Sequence, residues 1–312
     1  MSKRVVLLLV LAGLGFALAV ATGRAAKGPG FCKHHVCSTS TTTTTAPPPP
    51  GPCGTLVGGQ PVLYQHVIWI VFENHSFGEI IGSSAAPYLN NLASQCGLAT
   101  AYKAVSHPSL PNYIAMTSGS TQGITDDSPP SSHPLSAASI FSQTGTGGWK
   151  SLEESMPTNC DLTDANPYAV RHNPAAYYTN VRADCGGQDI PLGSTPDIGS
   201  RFTFVTPNLC NDMHDCSVST GDSWLSSFLP KILSSSAYTG GGTAVFITWD
   251  EDDNSAGNSV PLLVISPYTA AGTRYGVAVT HYALLRTTED LLGLGCLGAA
   301  CTAPSMRSPF GL

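Results

Sequence analysis

Charged side chains are scarce in this 312-residue chain, where they make up 11% against a usual share of about 25%. So low a content excludes a disordered polyelectrolyte and a coiled coil, since both depend on dense charge. Beyond residue 52, nine basic residues accompany 20 acidic ones, a net charge of −11. Because binding to phosphate backbones needs clustered Lys and Arg, we expect no nucleic-acid partner.

Acidic residues are absent from the first 52 positions, which begin with a hydrophobic segment. Residues 1–26 hold Lys3 and Arg4, an apolar run from Val5 to about Ala21, and small residues around it. This order is typical of a secretory leader. An uncleaved signal anchor is the alternative, because the run falls just short of the ~20 residues that a spanning helix prefers. Either interpretation predicts export, to the outside, the cell surface or the periplasm.

Residues 27–52 are rich in Thr and Pro, with a threonine run to Thr45 and four prolines at Pro47–Pro50. Such a composition cannot bury enough apolar surface to fold, and it favours an extended backbone. We therefore predict a linker able to tether the protein to the cell surface. Residues 53–312 then form one domain.

Ten cysteines in an exported chain favour disulfides over zinc thiolates. Short spacing predicts local bridges Cys32/Cys37, Cys210/Cys216 and Cys296/Cys301. By elimination, the remaining cysteines give Cys53/Cys96 and Cys160/Cys185.

Short apolar segments alternate with helical patterns along the predicted domain. HVIWIVF at His66–Phe72 predicts a strand buried on both faces. Further strands are predicted at 98–105, 202–206, 243–249 and 260–266, and helices at 87–95, 111–117, 222–236 and 282–292. This alternation predicts an α/β fold with a mostly parallel central sheet and helices on both faces. The site of such a fold lies beyond the carboxyl ends of its strands.

Oxygen-bearing side chains follow two of these strands. Glu73 and Asn74 come after the first strand, and Asp250 and Glu251 after the strand at 243–249. Carboxylate and amide oxygens suit a hard divalent cation. A solvated loop is the alternative for any single acidic residue, but two clusters at one sheet edge predict a metal site.

Ser109 stands just before the predicted helix at 111–117, where a serine is ordinarily an N-cap. A hydroxyl there would also meet the metal and the free amides of the helix, which together favour a nucleophilic alkoxide. The acidic strand ends favour the second interpretation.

Three histidines lie near these positions. His214, in a loop after strand 202–206, and His281, before the last helix, occur where a leaving group needs a proton. His107 lies two residues before Ser109, where it would bind substrate or serve as scaffold. A purely structural role is the alternative for each.

Five ordered segments resemble a known family: ENHSF at Glu73–Phe77, HPSLPNY at His107–Tyr113, TPNLCNDMHDC at Thr206–Cys216, TWDE at Thr248–Glu251, and THYALLRTTEDLLGL at Thr280–Leu294. They are similar to the bacterial phosphoesterase family of acid phosphatases and phospholipases C, within the alkaline-phosphatase-like superfamily. The resemblance runs from about Val67 to Leu294.

The resemblance implies that Glu73, Asn74, Asp250 and Glu251 bind one metal together with a nucleophilic hydroxyl. SLPNY also resembles the TFPNH-type nucleophile motif of nucleotide pyrophosphatases, which assigns that hydroxyl to Ser109 and a phosphate contact to Asn112. Asp250-Glu251 stands where two-zinc members carry Asp-His. We therefore expect one metal ion, with Mg, Ca, Mn or Fe favoured over Zn.

We thus expect an exported metal-dependent hydrolase of small phosphate monoesters. Two alternatives are a phospholipase C acting on phospholipids and a cell-wall-associated binding protein that keeps the fold without turnover.

Overall fold

The computed structural model describes residues 51–312. The predicted leader, the predicted linker up to residue 50 and the predicted Cys32/Cys37 bridge lie outside the described residues. Among the described residues, no helix combines the length and the apolar character needed to cross a bilayer.

Ten strands and eight α-helices build residues 51–312. The strands are β1 His66–Phe72, β2 Gly97–Ala99, β3 Tyr102–Lys103, β4 Trp149–Glu153, β5 Asp189–Pro191, β6 Phe202–Thr206, β7 Thr243–Trp249, β8 Leu262–Ile265, β9 Arg274–Tyr275 and β10 Val279–Thr280. The helices are α1 Phe77–Ile80, α2 Pro87–Gln95, α3 Ser109–Ser118, α4 Ile140–Thr144, α5 Cys185–Gln188, α6 Val218–Leu233, α7 Ser236–Thr239 and α8 His281–Leu292.

Eight of these strands form the central sheet, in the order β5-β4-β6-β1-β7-β8-β2-β9. The run from β5 to β7 is parallel, and β8 is antiparallel to both of its neighbours, β7 and β2. The predicted mostly parallel α/β fold is therefore confirmed.

The middle of the sheet is apolar because β1 and β7 are covered on both faces. Every residue of β7 is buried, as is every residue of β1 except its first. The Trp69 ring meets Phe202 edge-on at 4.9 Å between centroids, and its indole N–H donates to Thr288 of α8 at 2.9 Å. These contacts hold the two central strands rigidly, and so fix where their ends lie.

One predicted strand is wrong in its extent, and four short strands, β4, β5, β9 and β10, escaped prediction. The segment at 98–105 is two short strands: β2 joins the central sheet, whereas β3 pairs with β10 in a separate two-stranded sheet. A continuous apolar run does not reveal such a change of partner.

Helix α3 ends at Gly119, which has a φ of 74°. A side chain there would also collide with the Leu297 carbonyl, so this helix end requires glycine.

Four disulfides agree with the predicted pairing. Cys53–Cys96, Cys160–Cys185, Cys210–Cys216 and Cys296–Cys301 are all formed.

A pair of buried carboxyl groups lies on the neighbouring strands β4 and β5. Burial and the nearby Asp189 raise the pKa of Glu153 well above its usual value, and burial raises the pKa of Asp189 to about 7. The folded protein therefore keeps protons that the unfolded chain releases above about pH 4. The contribution of Asp189 to stability is complete below that pH and is lost as pH rises through about 7.

We expect Asp189→Asn to reduce this loss. A carboxyl whose pKa rises from about 4 to about 7 accounts for about 4 kcal/mol at most. Between pH 5 and pH 8, the variant should lose about 2 kcal/mol less stability than the parent in urea unfolding. Asp197→Asn, at an exposed carboxylate paired with Lys150, is the control and should follow the parent at both pH values. Parallel pH dependence of Asp189→Asn and the parent would contradict the account.

Candidate active site

Two acidic residues lie side by side at the carboxyl edge of the sheet. In the parallel register of β1 and β7, Phe72 pairs with Trp249, so Glu73 and Asp250 follow directly on neighbouring strands. Asn74 adopts a φ of 57°, a left-handed conformation that asparagine tolerates. Its backbone amide donates to Asp250 Oδ1 at 3.2 Å. The sheet thus brings Glu73, Asn74 and Asp250 together.

Ser109 is the first residue of α3, and its hydroxyl points at this carboxylate pair. Its Oγ donates to Glu73 Oε2 at 3.0 Å, and the residue is 3% exposed. The N-cap position belongs to Pro108, so Ser109 does not cap the helix. A hydroxyl at a helix N-terminus beside carboxylates is well placed for nucleophilic chemistry on an anionic group.

Sequence reasoning missed His172, which lies fully buried against Glu73. Its Nε2 is 3.4 Å from Glu73 Oε1, and its Nδ1 is 3.3 Å from Asp212 Oδ2. The Tyr113 ring stacks on it at 5.5 Å, and the Tyr113 hydroxyl donates to Glu73 Oε1. Burial, together with the neighbouring Arg171 and His214, holds the pKa of His172 well below its usual value. The imidazole is therefore neutral, which is the form that ligates metals.

The loop after β6 supplies His214 and Asp212. The Cys210–Cys216 disulfide closes this loop, and the Asp212 carbonyl accepts the Glu73 backbone amide at 2.9 Å. His214 is part-exposed, and its Nδ1 lies 2.7 Å from Asp215 Oδ1. The predicted position of His214 at the site edge agrees with this geometry.

Negative charge is concentrated at this site. Burial raises the pKa of Glu73 far above its usual range, and the charges of Asp250, Asp212 and Glu251 raise it further. Burial also raises the pKa values of Asp212 and Asp250. Asp250 Oδ2, Asp212 Oδ2 and His172 Nε2 are buried without a hydrogen-bond partner. Orphaned oxygens and a neutral imidazole are the donors that a divalent cation accepts, so the residues fit a metal ion.

Three potential metal-ligand atoms lie close together at the site. Glu73, His172 and His214 each offer an atom, and these atoms lie within 4.8 Å of one another. Glu73 belongs both to this set and to the set predicted from sequence. Two imidazoles add nitrogen donors that the oxygen-only prediction lacked, and imidazole suits Fe and Zn better than Mg, Ca or Mn.

Glu251, His107 and Asn112 form a connected group beside Ser109. Glu251 Oε2 lies 3.0 Å from His107 Nδ1 and 3.2 Å from Asn112 Nδ2. The Asn112 side chain is fully buried and also bonds both amides and carbonyls of the 105–108 loop. Its hydrogen-bonding capacity is thus used within the protein, and this geometry makes it a positioning residue for the loop before Ser109. His107 remains part-exposed at the site rim.

His281 is buried under the site. Its Nδ1 lies 2.8 Å from the Tyr102 hydroxyl, and its Nε2 lies 2.7 Å from the Asp250 backbone carbonyl. Burial lowers the pKa of His281 to about 4. Both ring nitrogens are engaged and the ring is neutral, so His281 positions Asp250 in this arrangement and has no proton to give to a leaving group.

Little in the sequence points to His172. It lies in a short 3₁₀ turn at Val170–His172, within the long connection between β4 and β5. Recognition of β4 would have placed this connection at the carboxyl edge of the sheet, which is the only indication available.

We expect Tyr113→Phe to weaken metal binding by about tenfold, because Glu73 loses the hydroxyl that orients its carboxylate while the ring still stacks on His172. Competition with a chelator measures the affinity of parent and variant. Tyr178→Phe removes a buried hydroxyl that bonds Thr117 instead, and should leave metal affinity unchanged. Equal affinities in all three proteins would contradict the role given to Tyr113.

The fold and the site together place a helix-initiating hydroxyl beside buried carboxylates at the edge of an α/β sheet. A model of the Phosphoesterase family matches residues 83–295. The chain belongs to this family, and it is a phosphoric ester hydrolase.

Two curated relatives and one solved structure are similar to the chain. A phosphatidylinositol-3-phosphatase of Mycobacterium tuberculosis is 32% identical over 261 residues, which cover 80% of this chain and 83% of the relative. A phosphate-repressible acid phosphatase of Penicillium chrysogenum is 30% identical over 67% of this chain, and the match spans only 55% of that relative. A member of the alkaline phosphatase superfamily from Vibrio parahaemolyticus has the same fold, with a TM-score of 0.54 at 14% identity, over 83% of this chain and 73% of its own.

Proposed function

We propose that this protein is an exported, metal-dependent phosphomonoesterase that uses Ser109 as its nucleophile. The observation that carries the proposal is the hydrogen bond from the buried Ser109 hydroxyl to Glu73, at the N-terminus of α3. The alternative of a binding protein that keeps the fold and a structural metal without turnover would leave the buried Ser109 hydroxyl at the helix N-terminus unexplained.

Glu73, His172 and Asp250 are the buried residues proposed to hold the metal, with Asn74 and Glu251 close by. His214 also offers a ligand atom within 4.8 Å of those of Glu73 and His172, but its ring is part-exposed and it is assigned a different role below. When bound there, a divalent cation would neutralise the carboxylates and polarise a phosphoryl oxygen. Repulsion among the buried carboxylates supports the assignment.

The serine step follows from the contacts of Ser109. Its Oγ attacks phosphorus and gives its proton to Glu73 Oε2, which lies 3.0 Å away. The bond between phosphorus and the ester oxygen breaks, and the departing oxygen takes a proton. Water then attacks phosphorus and gives a proton to the group that protonated the departing oxygen, while the bond between phosphorus and Ser109 Oγ breaks. Oγ takes back the proton held by Glu73, and phosphate is released.

His214 is the better candidate for proton donor to the departing oxygen. Its ring is part-exposed, whereas that of His281 is buried with both nitrogens engaged. Asp215, at 2.7 Å from Nδ1, holds the ring in place.

Phosphate monoesters are the proposed substrate class, and phospholipid cleavage of the phospholipase C type is the alternative. The acidic body would be repelled by anionic membranes. Both curated relatives carry names of phosphatases, and removal of the 3-phosphate from phosphatidylinositol 3-phosphate is itself monoester hydrolysis. A monoester on a lipid head group therefore falls within the proposal, whereas cleavage of phosphatidylcholine does not.

We expect catalytic efficiency on a soluble monoester to exceed that on phosphatidylcholine by at least about tenfold, or about 1.4 kcal/mol in transition-state free energy. The test compares p-nitrophenyl phosphate with mixed phosphatidylcholine micelles, each with and without chelator. Preference for the micelles would transfer the function to the lipase alternative.

Export and tethering are also part of the proposal. Four disulfides within residues 51–312 support folding in an oxidising compartment. N-terminal sequencing of the protein recovered outside the cytoplasm tests whether the leader at residues 1–26 is cleaved or serves as an anchor.

A further inference from the structure

Arg171 lies beside the candidate site, and most N–H groups of its guanidinium have no hydrogen-bond acceptor among the described residues. Its one polar contact among the described residues joins its terminal nitrogen to His214 Nε2 at 3.3 Å. This is long for a nitrogen-donated hydrogen bond. The other arginines in residues 51–312 each bond a carbonyl or carboxylate oxygen: Arg182, Arg201, Arg274, Arg286 and Arg307.

The turn that carries Arg171 is held rigidly. The Val170 amide donates to Asp164 Oδ1 at 2.8 Å, and the carbonyl of His172 accepts from Thr206 Oγ1 at 3.1 Å. His172 itself is fixed between Tyr113 and Asp212. The guanidinium is therefore presented at the site by a fixed backbone, while its own end stays free to change partner.

Two intervening residues, His214 and Glu73, link Arg171 to the proposed nucleophile Ser109. The guanidinium meets His214, a nitrogen of His214 and an oxygen of Glu73 lie within 4.8 Å, and Glu73 accepts the Ser109 hydroxyl. Arg171 and Ser109 thus flank the same pair of residues, Glu73 and His214.

The charge balance of the site favours an anion at Arg171. A phosphate monoester brings two negative charges to a cluster that is already acidic, so its binding is favoured where a positive side chain offsets the repulsion. The helix N-terminus attracts an anion too: the exposed carboxylate of Asp127 accepts the Leu110 amide at 2.9 Å, next to Ser109. Guanidinium is the side chain best matched to two phosphate oxygens at once, because its donors form a planar fork.

We propose that Arg171 binds the non-bridging phosphate oxygens of the substrate, exchanging its weak contact with His214 for this ligand. The inference rests on the proposed function and deepens it, since it names the residue that recognises the phosphate dianion.

The test compares Arg171→Gln and Arg171→Lys with Arg182→Gln, a matched change at an arginine that bonds a backbone carbonyl. We expect Arg171→Gln to lower kcat/KM on p-nitrophenyl phosphate about 100-fold and to raise the inhibition constant of inorganic phosphate at least tenfold. Arg171→Lys should retain part of the parent's kcat/KM and part of its affinity for inorganic phosphate. Arg182→Gln should match the parent in both quantities.

A merely structural role for Arg171, in holding His214, predicts a different pattern. Asp215→Asn perturbs His214 from its other nitrogen and should lower kcat without weakening phosphate inhibition. If inorganic phosphate inhibits Arg171→Gln with the same inhibition constant as the parent, the proposal is overturned. A kcat/KM of Arg171→Gln within threefold of the parent's value would overturn it too.

A second readout keeps this inference separate from the proposed function. Inorganic phosphate should raise the Tm of the parent and raise that of Arg171→Gln much less. If the parent hydrolyses no monoester, the proposed function fails, and the phosphate-induced change in Tm still decides whether Arg171 binds the anion. Equal changes in Tm for both proteins would overturn the inference.

Discussion

Ser109→Ala should lower kcat on phosphate monoesters by three orders of magnitude or more, because the variant has no oxygen to attack phosphorus. The fold should persist, since the lost hydroxyl makes a single side-chain hydrogen bond, to Glu73, at the first turn of α3. Steady-state kinetics with p-nitrophenyl phosphate gives the loss, and near-ultraviolet circular dichroism reports on tertiary packing.

Ser106→Ala is the matched control for this experiment. Ser106 lies on the same loop, but its hydroxyl donates to the His107 carbonyl and faces no carboxylate in the site. The variant should retain activity within a few-fold of the parent. Activity of Ser109→Ala within tenfold of the parent, or a greater loss in Ser106→Ala, would show that another hydroxyl is the nucleophile.

Removal of the metal should abolish turnover and lower Tm by about 5–10 °C. Glu73, Asp250 and Glu251 are buried carboxylates that repel one another when nothing offsets their charge. A ligand present at about 100 times its Kd stabilises the folded state by about 2.7 kcal/mol, and about 2–4 °C of Tm accompanies each kcal/mol in a domain of this size.

Glu73→Gln provides the control for metal removal. The variant lacks one of the carboxylates assigned to the metal, so chelator should change its Tm little, and it should have little activity to lose. Calorimetry of both proteins before and after dialysis against chelator gives the comparison. Full turnover in parent protein that elemental analysis finds free of metal would contradict the metal assignment.

The strand ends of the candidate site could be predicted because they depend on local pattern. HVIWIVF at His66–Phe72 is apolar throughout, so the position of Glu73 at its end follows directly. The same holds for β7 and Asp250. That β1 and β7 are neighbours is not readable from these segments, but parallel strands of one sheet place their carboxyl ends at one edge.

His172 could not be predicted because its position depends on long-range packing. The connection from β4 to β5 lacks a regular hydrophobic pattern, and His172 reaches Glu73 only through its stack on Tyr113 and its contact with Asp212. The hydrogen-bond partners of Asn112 and His281 could not be predicted for the same reason. Sequence places each of them near the site, but only the structure identifies the loop amides and the Asp250 carbonyl that engage them.

The central claim is that phosphate passes through Ser109, and acid-quenched trapping of the phosphorylated enzyme tests it most directly. Full-length protein is mixed with a phosphate monoester, quenched at low pH within one turnover, digested and sequenced by mass spectrometry. Our account predicts phosphate on Ser109 in the peptide that contains SLPNY, and none in Ser109→Ala. Phosphate on Ser106, Ser76, His172 or His214 instead, from a protein that is turning over substrate, would contradict it.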